Sequence, residues 1–136
     1  MLEIGSKVQD FTIPTDRGYF TLSDYKGKNV VLFFFPRADT SGCTKEAISF
    51  TELLAEFDAA NTIVIGISKD TPEKQAKFRA KHSLECILGA DNQTKICEQF
   101  GVWVEKSMYG KSYMGIERSS FLIDPDGKIT NVWRKV

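Results

Sequence analysis

Apolar positions recur along this chain in two different periods. Val30-Val31-Leu32-Phe33-Phe34-Phe35 is an unbroken apolar run, and Ile63-Val64-Ile65-Gly66-Ile67 resembles it. Short runs without alternation suit strands buried on both faces of a sheet. Between them Phe50, Leu53, Leu54 and Phe57 fall at i, i+3, i+4 and i+7, which predicts one helix from Cys43 to Asp58 with all four on one face. Strand, helix, strand in that order implies parallel pairing through a right-handed crossover.

The remaining punctuation completes the outline. FTIPTDRGYFTL reads as two short strands reversing at Asp16-Arg17-Gly18. Thr71 and Pro72 suit the N-cap and first position of a more exposed helix, TPEKQAKFRAKHS. ECILGAD is a further strand, and NQTKICEQFGV a short helix stopped by Gly101. Phe121 to Ile123 and Ile129 to Trp133 flank the turn Asp124-Pro125-Asp126-Gly127, an antiparallel hairpin. VWVEKSMYGKSYMGIER is the longest piece without an assigned element and is read as a binding loop, although its aromatics would serve equally as packing. The expected architecture is α/β in a single domain over residues 1–136: an N-terminal hairpin, a parallel core and a C-terminal hairpin around a mixed central sheet. This order resembles the thioredoxin fold.

Charge changes the picture by exclusion. Lys plus Arg and Asp plus Glu are balanced at 18 each, so no global field draws nucleic acid or an anionic membrane surface. MLEIGSKVQDF lacks a basic segment followed by a long apolar one, and no apolar run approaches the roughly 20 residues of a membrane span, so a cytoplasmic protein is expected. Three cysteines without a C-x-x-C pair fit a reducing compartment and argue against a disulfide oxidoreductase. His82 and Cys86 are four apart but separated by a helix-to-strand break, too little for zinc, and no glycine-rich nucleotide motif precedes a helix. No metal or cofactor is expected.

Cys43 is placed in the first turn of a helix just past the C-terminal end of an interior strand, where open α/β sheets bind ligands. Unsatisfied N–H groups there favour a thiolate, the nucleophilic form; the alternative is a small buried hydrophobe. Thr40 and Pro36 precede it in the pattern P-x-x-x-T-x-x-C. With FFFPRADTSGCTKEA, GIERSSFLID and the longer stretch CEQFGVWVEKSMYGKSYMGIERSSFLIDPDGKI, the chain resembles the peroxiredoxins, specifically the bacterioferritin comigratory protein (Bcp, or Q-type) subfamily.

That resemblance implies a thiol peroxidase reducing hydrogen peroxide and organic hydroperoxides. It makes Cys43 the sulfur that is oxidised to sulfenic acid, Thr40 a donor to peroxide and sulfur, Pro36 a shield against water, Arg118 a source of positive charge and Glu46 the support of the arginine. Read as isolated residues, Pro36 ends a strand, Thr40 caps a helix, Arg118 is a solvated charge and Glu46 is an acid in a first helical turn.

Many members of the subfamily carry a resolving cysteine five residues after the reactive one or on the next helix. Here Ile48 takes the first position and TPEKQAKFRAKHS contains no cysteine. Cys86 and Cys97 are the possible resolvers, each with the alternative of a buried inert thiol, and a one-cysteine cycle completed by thioredoxin, glutathione or another external thiol is the first expectation. Ser41 stands where the subfamily usually has proline, which loosens the turn without removing a catalytic group. The resemblance also implies a final helix beyond TNVWRKV, so either the sequence is shortened or the helix is lacking; in the second case Val132, Trp133 or other sheet residues are expected to be exposed, with reduced stability or self-association, and a monomer or weak dimer is expected. The rival reading is a non-catalytic thioredoxin-fold peroxide sensor or interaction module, which multiple turnover with excess thiol would exclude.

Overall fold

The computed structural model describes residues 2–38 and 41–134. In chain order its elements are β1 (Thr12–Thr15), β2 (Gly18–Thr21), β3 (Asn29–Phe34), α1 (Ser41–Glu52), α2 (Leu54–Ala59), β4 (Thr62–Ser68), α3 (Pro72–His82), β5 (Ile87–Ala90), α4 (Ile96–Gln99), β6 (Trp103–Met108), β7 (Lys111–Ile116), β8 (Ser119–Ile123) and β9 (Ile129–Arg134). Seven strands form one mixed sheet in the order β2-β1-β5-β4-β3-β8-β9. The two apolar runs lie inside it: β3 pairs parallel with β4, Leu32 opposite Ile65, and antiparallel with β8, Leu32 opposite Phe121. The arrangement is the thioredoxin-like one the element order implied.

Alternation along β3 divides the core in two. Val30, Leu32 and Phe34 face one side with Ile65, Ile67, Cys97, Phe100 and Phe121, while Val31, Phe33 and Phe35 face the other with Cys43, Ala47, Phe78 and Cys86. Helices α1, α2 and α3 cover the second side, where the ring of Phe50 stacks on Phe33 with centroids 4.5 Å apart and seats α1 on the sheet. Gly66 lies opposite Phe33 in the β3–β4 register, and a methyl group there would enter the Phe33 ring. Gly66→Ala is therefore expected to cost about 1–3 kcal/mol of stability through overpacking. Urea denaturation checks this, with Phe33→Leu in the same background recovering part of the loss.

Two expectations need correction. The single helix is broken at Leu53, where φ is −98° and ψ is 5°, so α1 ends at Glu52 and α2 begins at Leu54. Phe50, Leu54 and Phe57 still pack on the sheet, but the break turns Leu53 outward to 47% exposure. The supposed binding loop is regular: β6 and β7 form a separate two-stranded antiparallel sheet turning at Tyr109 and Gly110, whose φ values are 53° and 77°. Positive φ at both central residues matches the twist of a tight hairpin, so backbone pairing wins although tyrosine pays a steric cost at that position. At the sheet's other edge Trp133 is 48% exposed, whereas Val132 is half-buried against the core.

Candidate active site

Residue 118 precedes β8, and the antiparallel register that puts Ser119 opposite Phe34 brings it beside the end of β3, where α1 begins. On β8, Leu122 packs toward the α1 face and Phe121 and Ile123 toward the other, so Arg118 has the parity of the α1 face. Its Nη2 donates to Cys43 Sγ at 2.9 Å, joining residues 75 apart in sequence. Cys43 is 1% exposed and belongs to the core cluster on that face.

Glu46 lies one helical turn after Cys43, and its Oε1 is 3.5 Å from Arg118 Nη1. That oxygen is buried without a hydrogen bond among the described residues. Burial raises the Glu46 pKa above the ordinary 4.5, with the Arg118 charge opposing the rise. The folded state therefore holds this proton more tightly than the unfolded chain does. The associated stability is fully present below the unfolded value and is lost as pH rises through the folded one. Glu46→Gln should accordingly gain stability relative to the wild-type protein between acid and neutral pH, measured by urea denaturation at each pH; a gap that does not change with pH would contradict this.

The helix start also depends on Gly42. A Cβ at this position would lie 3.0 Å from Arg118 Nη2, so the absence of a side chain lets the guanidinium lie across the first turn of α1. The segment before it is tied down at Ala38, whose N–H donates to Asp70 Oδ2 at 2.7 Å, and the same oxygen accepts from Ser68 Oγ at 2.7 Å. Neither Gly42 nor Asp70 was singled out from sequence. A glycine beside the cysteine was a visible signal for the first, and nothing local signalled the second. Pro36 is exposed in the bend after β3, and Thr40 falls outside the described residues.

All three cysteines are free thiols and all are buried. Cys86 precedes β5 on the same sheet face as Cys43, and burial pushes its pKa up, with a long contact from Thr51 Oγ1 at 4.0 Å acting against this. Cys97 lies on the opposite face. Burial and the neighbouring Asp91 carboxylate both hold it far above the usual thiol range, and Asp91 pins its backbone by accepting from Cys97 N at 2.8 Å. The sheet itself separates Cys97 from Cys43. Among the described residues no group of three or more His, Cys, Asp and Glu side chains is placed to hold a metal.

Two surface cavities of about 420 Å³ each flank the fold. One lies at the far end of the sheet from Cys43, between Val8, Leu22, Tyr25 and the β8–β9 turn. The other adjoins the segment leading into α1 and is lined by Arg37, Ala38, Asp70, Lys74, Lys77, Phe78 and Lys81.

The AhpC/TSA family profile matches residues 4–132. A putative peroxiredoxin Bcp of Coxiella burnetii is 46% identical over 136 residues, covering 99% of this chain and 90% of the relative. Among solved structures, a cysteine-to-serine variant of Xylella fastidiosa PrxQ is similar with a TM-score of 0.95 at 34% identity, covering all of this chain and 87% of that one. The bacterioferritin comigratory protein of Xanthomonas campestris, described for its alkyl peroxide reduction activity, is similar with a TM-score of 0.90 at 37% identity and the same coverage.

Proposed function

This chain belongs to the AhpC/TSA family and, within it, to the Bcp or Q-type peroxiredoxins, thiol-dependent peroxidases, and we propose that Cys43 is the sulfur that attacks the peroxide. The observation that carries the assignment is the 2.9 Å contact from Arg118 Nη2 to Cys43 Sγ at the start of α1. The Cys43 thiolate forms an S–O bond with one peroxide oxygen as the O–O bond breaks. The second oxygen leaves with the electron pair and takes a proton to become water or an alcohol. Sulfur is oxidised to sulfenic acid and the peroxide is reduced.

Negative charge moves in this step from sulfur to the departing oxygen, and a guanidinium held beside the sulfur stabilises that charge without reorganising. Glu46, with Oε1 3.5 Å from Arg118 Nη1, is proposed to hold the guanidinium near the site through charge rather than a hydrogen bond. Thr40 is proposed as the second donor, following the family pattern. Pro36, exposed in the bend after β3, is proposed to shield the pocket from water, following the family pattern. Hydrogen peroxide and organic hydroperoxides are the proposed substrates, the latter supported by the activity described for the Xanthomonas campestris protein.

The proposed cycle uses one cysteine, with thioredoxin or another external thiol reducing the sulfenic acid in the cytoplasm. The burial of Cys86 and the placement of Cys97 across the sheet support it. Treatment with one equivalent of peroxide and then dimedone, followed by peptide mass spectrometry, is expected to find the adduct on Cys43. A Cys43–Cys86 or Cys43–Cys97 disulfide in its place would overturn the one-cysteine cycle.

Gly42→Ala gives a test of Arg118 placement. The added methyl must push Nη2 away by a few tenths of an ångström, lengthening its contact with Cys43, while alanine favours the helix by up to about 1 kcal/mol. The expected result is a several-fold slower reaction with peroxide and an unchanged or higher Tm, read by stopped-flow fluorescence and thermal denaturation.

A further inference from the structure

We propose that the cavity beside the Cys43 segment is a binding subsite for the carboxylate of a small anionic thiol that reduces the Cys43 sulfenic acid. This rests on the one-cysteine cycle above and adds to it the chemical class of the reductant.

The described lining of the cavity includes the exposed Lys74 and Lys77 and, farther along α3, Lys81, with the carboxylate of Asp70 among them. In a chain whose charges otherwise balance at 18 of each sign, this is a local positive field. Lys74, Lys77 and Lys81 sit at i, i+3 and i+7 on α3, so the helix presents them as one row, and Lys74 and Lys77 are exposed. Asp70 is held in the wall of the cavity, its Oδ2 accepting from Ala38 N–H and Ser68 Oγ, and its one negative charge offsets only part of the lysine row. Gln75 Nε2 donates to the same Ser68 oxygen at 2.9 Å, which fixes the row relative to the segment entering α1.

The cavity borders the core cluster that contains Cys43. Phe78 lines it and belongs to the cluster that buries Cys43, and Ala38 lines it and packs against that cluster. In the proposed mode a molecule anchored by a carboxylate on the lysine row places its thiol toward the Ala38 wall, on the segment that leads into α1. About 420 Å³ is within the range of small-molecule sites. The chemistry balances in two steps. The thiol sulfur of RSH attacks the Cys43 sulfenic sulfur, an S–S bond forms, the S–O bond breaks and water leaves. A second RSH then attacks the mixed disulfide at the small-thiol sulfur, releasing RSSR and the Cys43 thiol.

The test uses N-acetylcysteine and its uncharged amide, which differ at the carboxylate. Protein oxidised with one equivalent of peroxide is mixed with each thiol, and the rate constant for loss of the sulfenic acid is measured in the wild-type protein and in Lys74→Gln/Lys77→Gln. The ratio of the two rate constants, carboxylate over amide, is expected to fall about tenfold in the variant and to fall in wild type as salt is raised. Comparing ratios removes the intrinsic reactivity difference of the two thiols. Lys77→Glu should lower the ratio by reversing a charge.

An identical ratio in wild type and variants, with both thiols still reducing the protein, overturns the subsite and leaves the one-cysteine cycle standing. Formation of an internal disulfide before either thiol reacts overturns both. If the variants lose rate only in oxidation by a carboxylate-bearing hydroperoxide, the cavity binds the oxidant, and the proposal fails on that ground.

Discussion

Arg118→Ala is expected to lower the rate constant for oxidation of Cys43 by peroxide by about 10²–10³, the loss typical of removing one preorganised donor to developing charge. The structure supplies the reason: Nη2 is 2.9 Å from Sγ in a site where Cys43 is 1% exposed, so little water is available to replace the guanidinium. Cys43→Ser sets the floor of the same assay, with no turnover. Arg118→Lys should fall between them, because an ammonium keeps the charge but lacks the planar fork that reaches Cys43 and Glu46 together. Stopped-flow measurement at a pH where thiol ionisation is complete in every protein separates charge stabilisation from thiolate population. Equal rates for wild type and Arg118→Ala under that condition would refute the role given to Arg118.

The second large effect concerns stability. Arg79→Met should destabilise the fold by about 3–5 kcal/mol, because it leaves a buried carboxylate without its counter-charge. The Asp16 side chain is 3% exposed and receives Arg79 Nε at 2.5 Å and Nη2 at 3.0 Å. The same guanidinium donates from Nη1 to the Leu84 carbonyl at 2.7 Å and from Nη2 to the Cys86 carbonyl at 2.8 Å. One side chain on α3 thereby ties the β1–β2 turn to the segment entering β5. Urea denaturation should show the loss, with Tm about 10 °C or more lower. Asp16→Asn/Arg79→Met should recover part of it by removing the stranded charge. A loss below about 1 kcal/mol in the single variant would mean that water replaces Arg79 around Asp16.

Legibility differed between parts of the chain for physical reasons. The apolar runs of β3 and β4, the Thr71 N-cap and the turn at Asp124 to Gly127 were readable because each depends on a local rule. Thr71 Oγ1 accepts from Lys74 N at 3.2 Å, and Gly127 N donates to Asp124 O at 3.0 Å, as those rules require. The break at Leu53 was hidden because Phe50, Leu54 and Phe57 keep their core contacts through it, leaving the apolar spacing looking continuous. The β6–β7 hairpin was missed because its turn places tyrosine, rather than asparagine or aspartate, at a positive φ beside Gly110.

From sequence alone came the fold class, through local periodicity, and the family resemblance, through motifs in order along the chain; the roles proposed for Cys43, Arg118 and Glu46 are what that resemblance implies. Tertiary structure decided what those residues can do together. The antiparallel pairing of β3 with β8 carries Arg118 across 75 residues to the sulfur, Gly42 leaves the space for it, and the sheet puts Cys97 on the far side. Helix α3 likewise turns Lys74, Lys77 and Lys81 into one row beside Ala38. Such relations come from pairing and from the side of the sheet a residue occupies, and no window of neighbouring residues contains them.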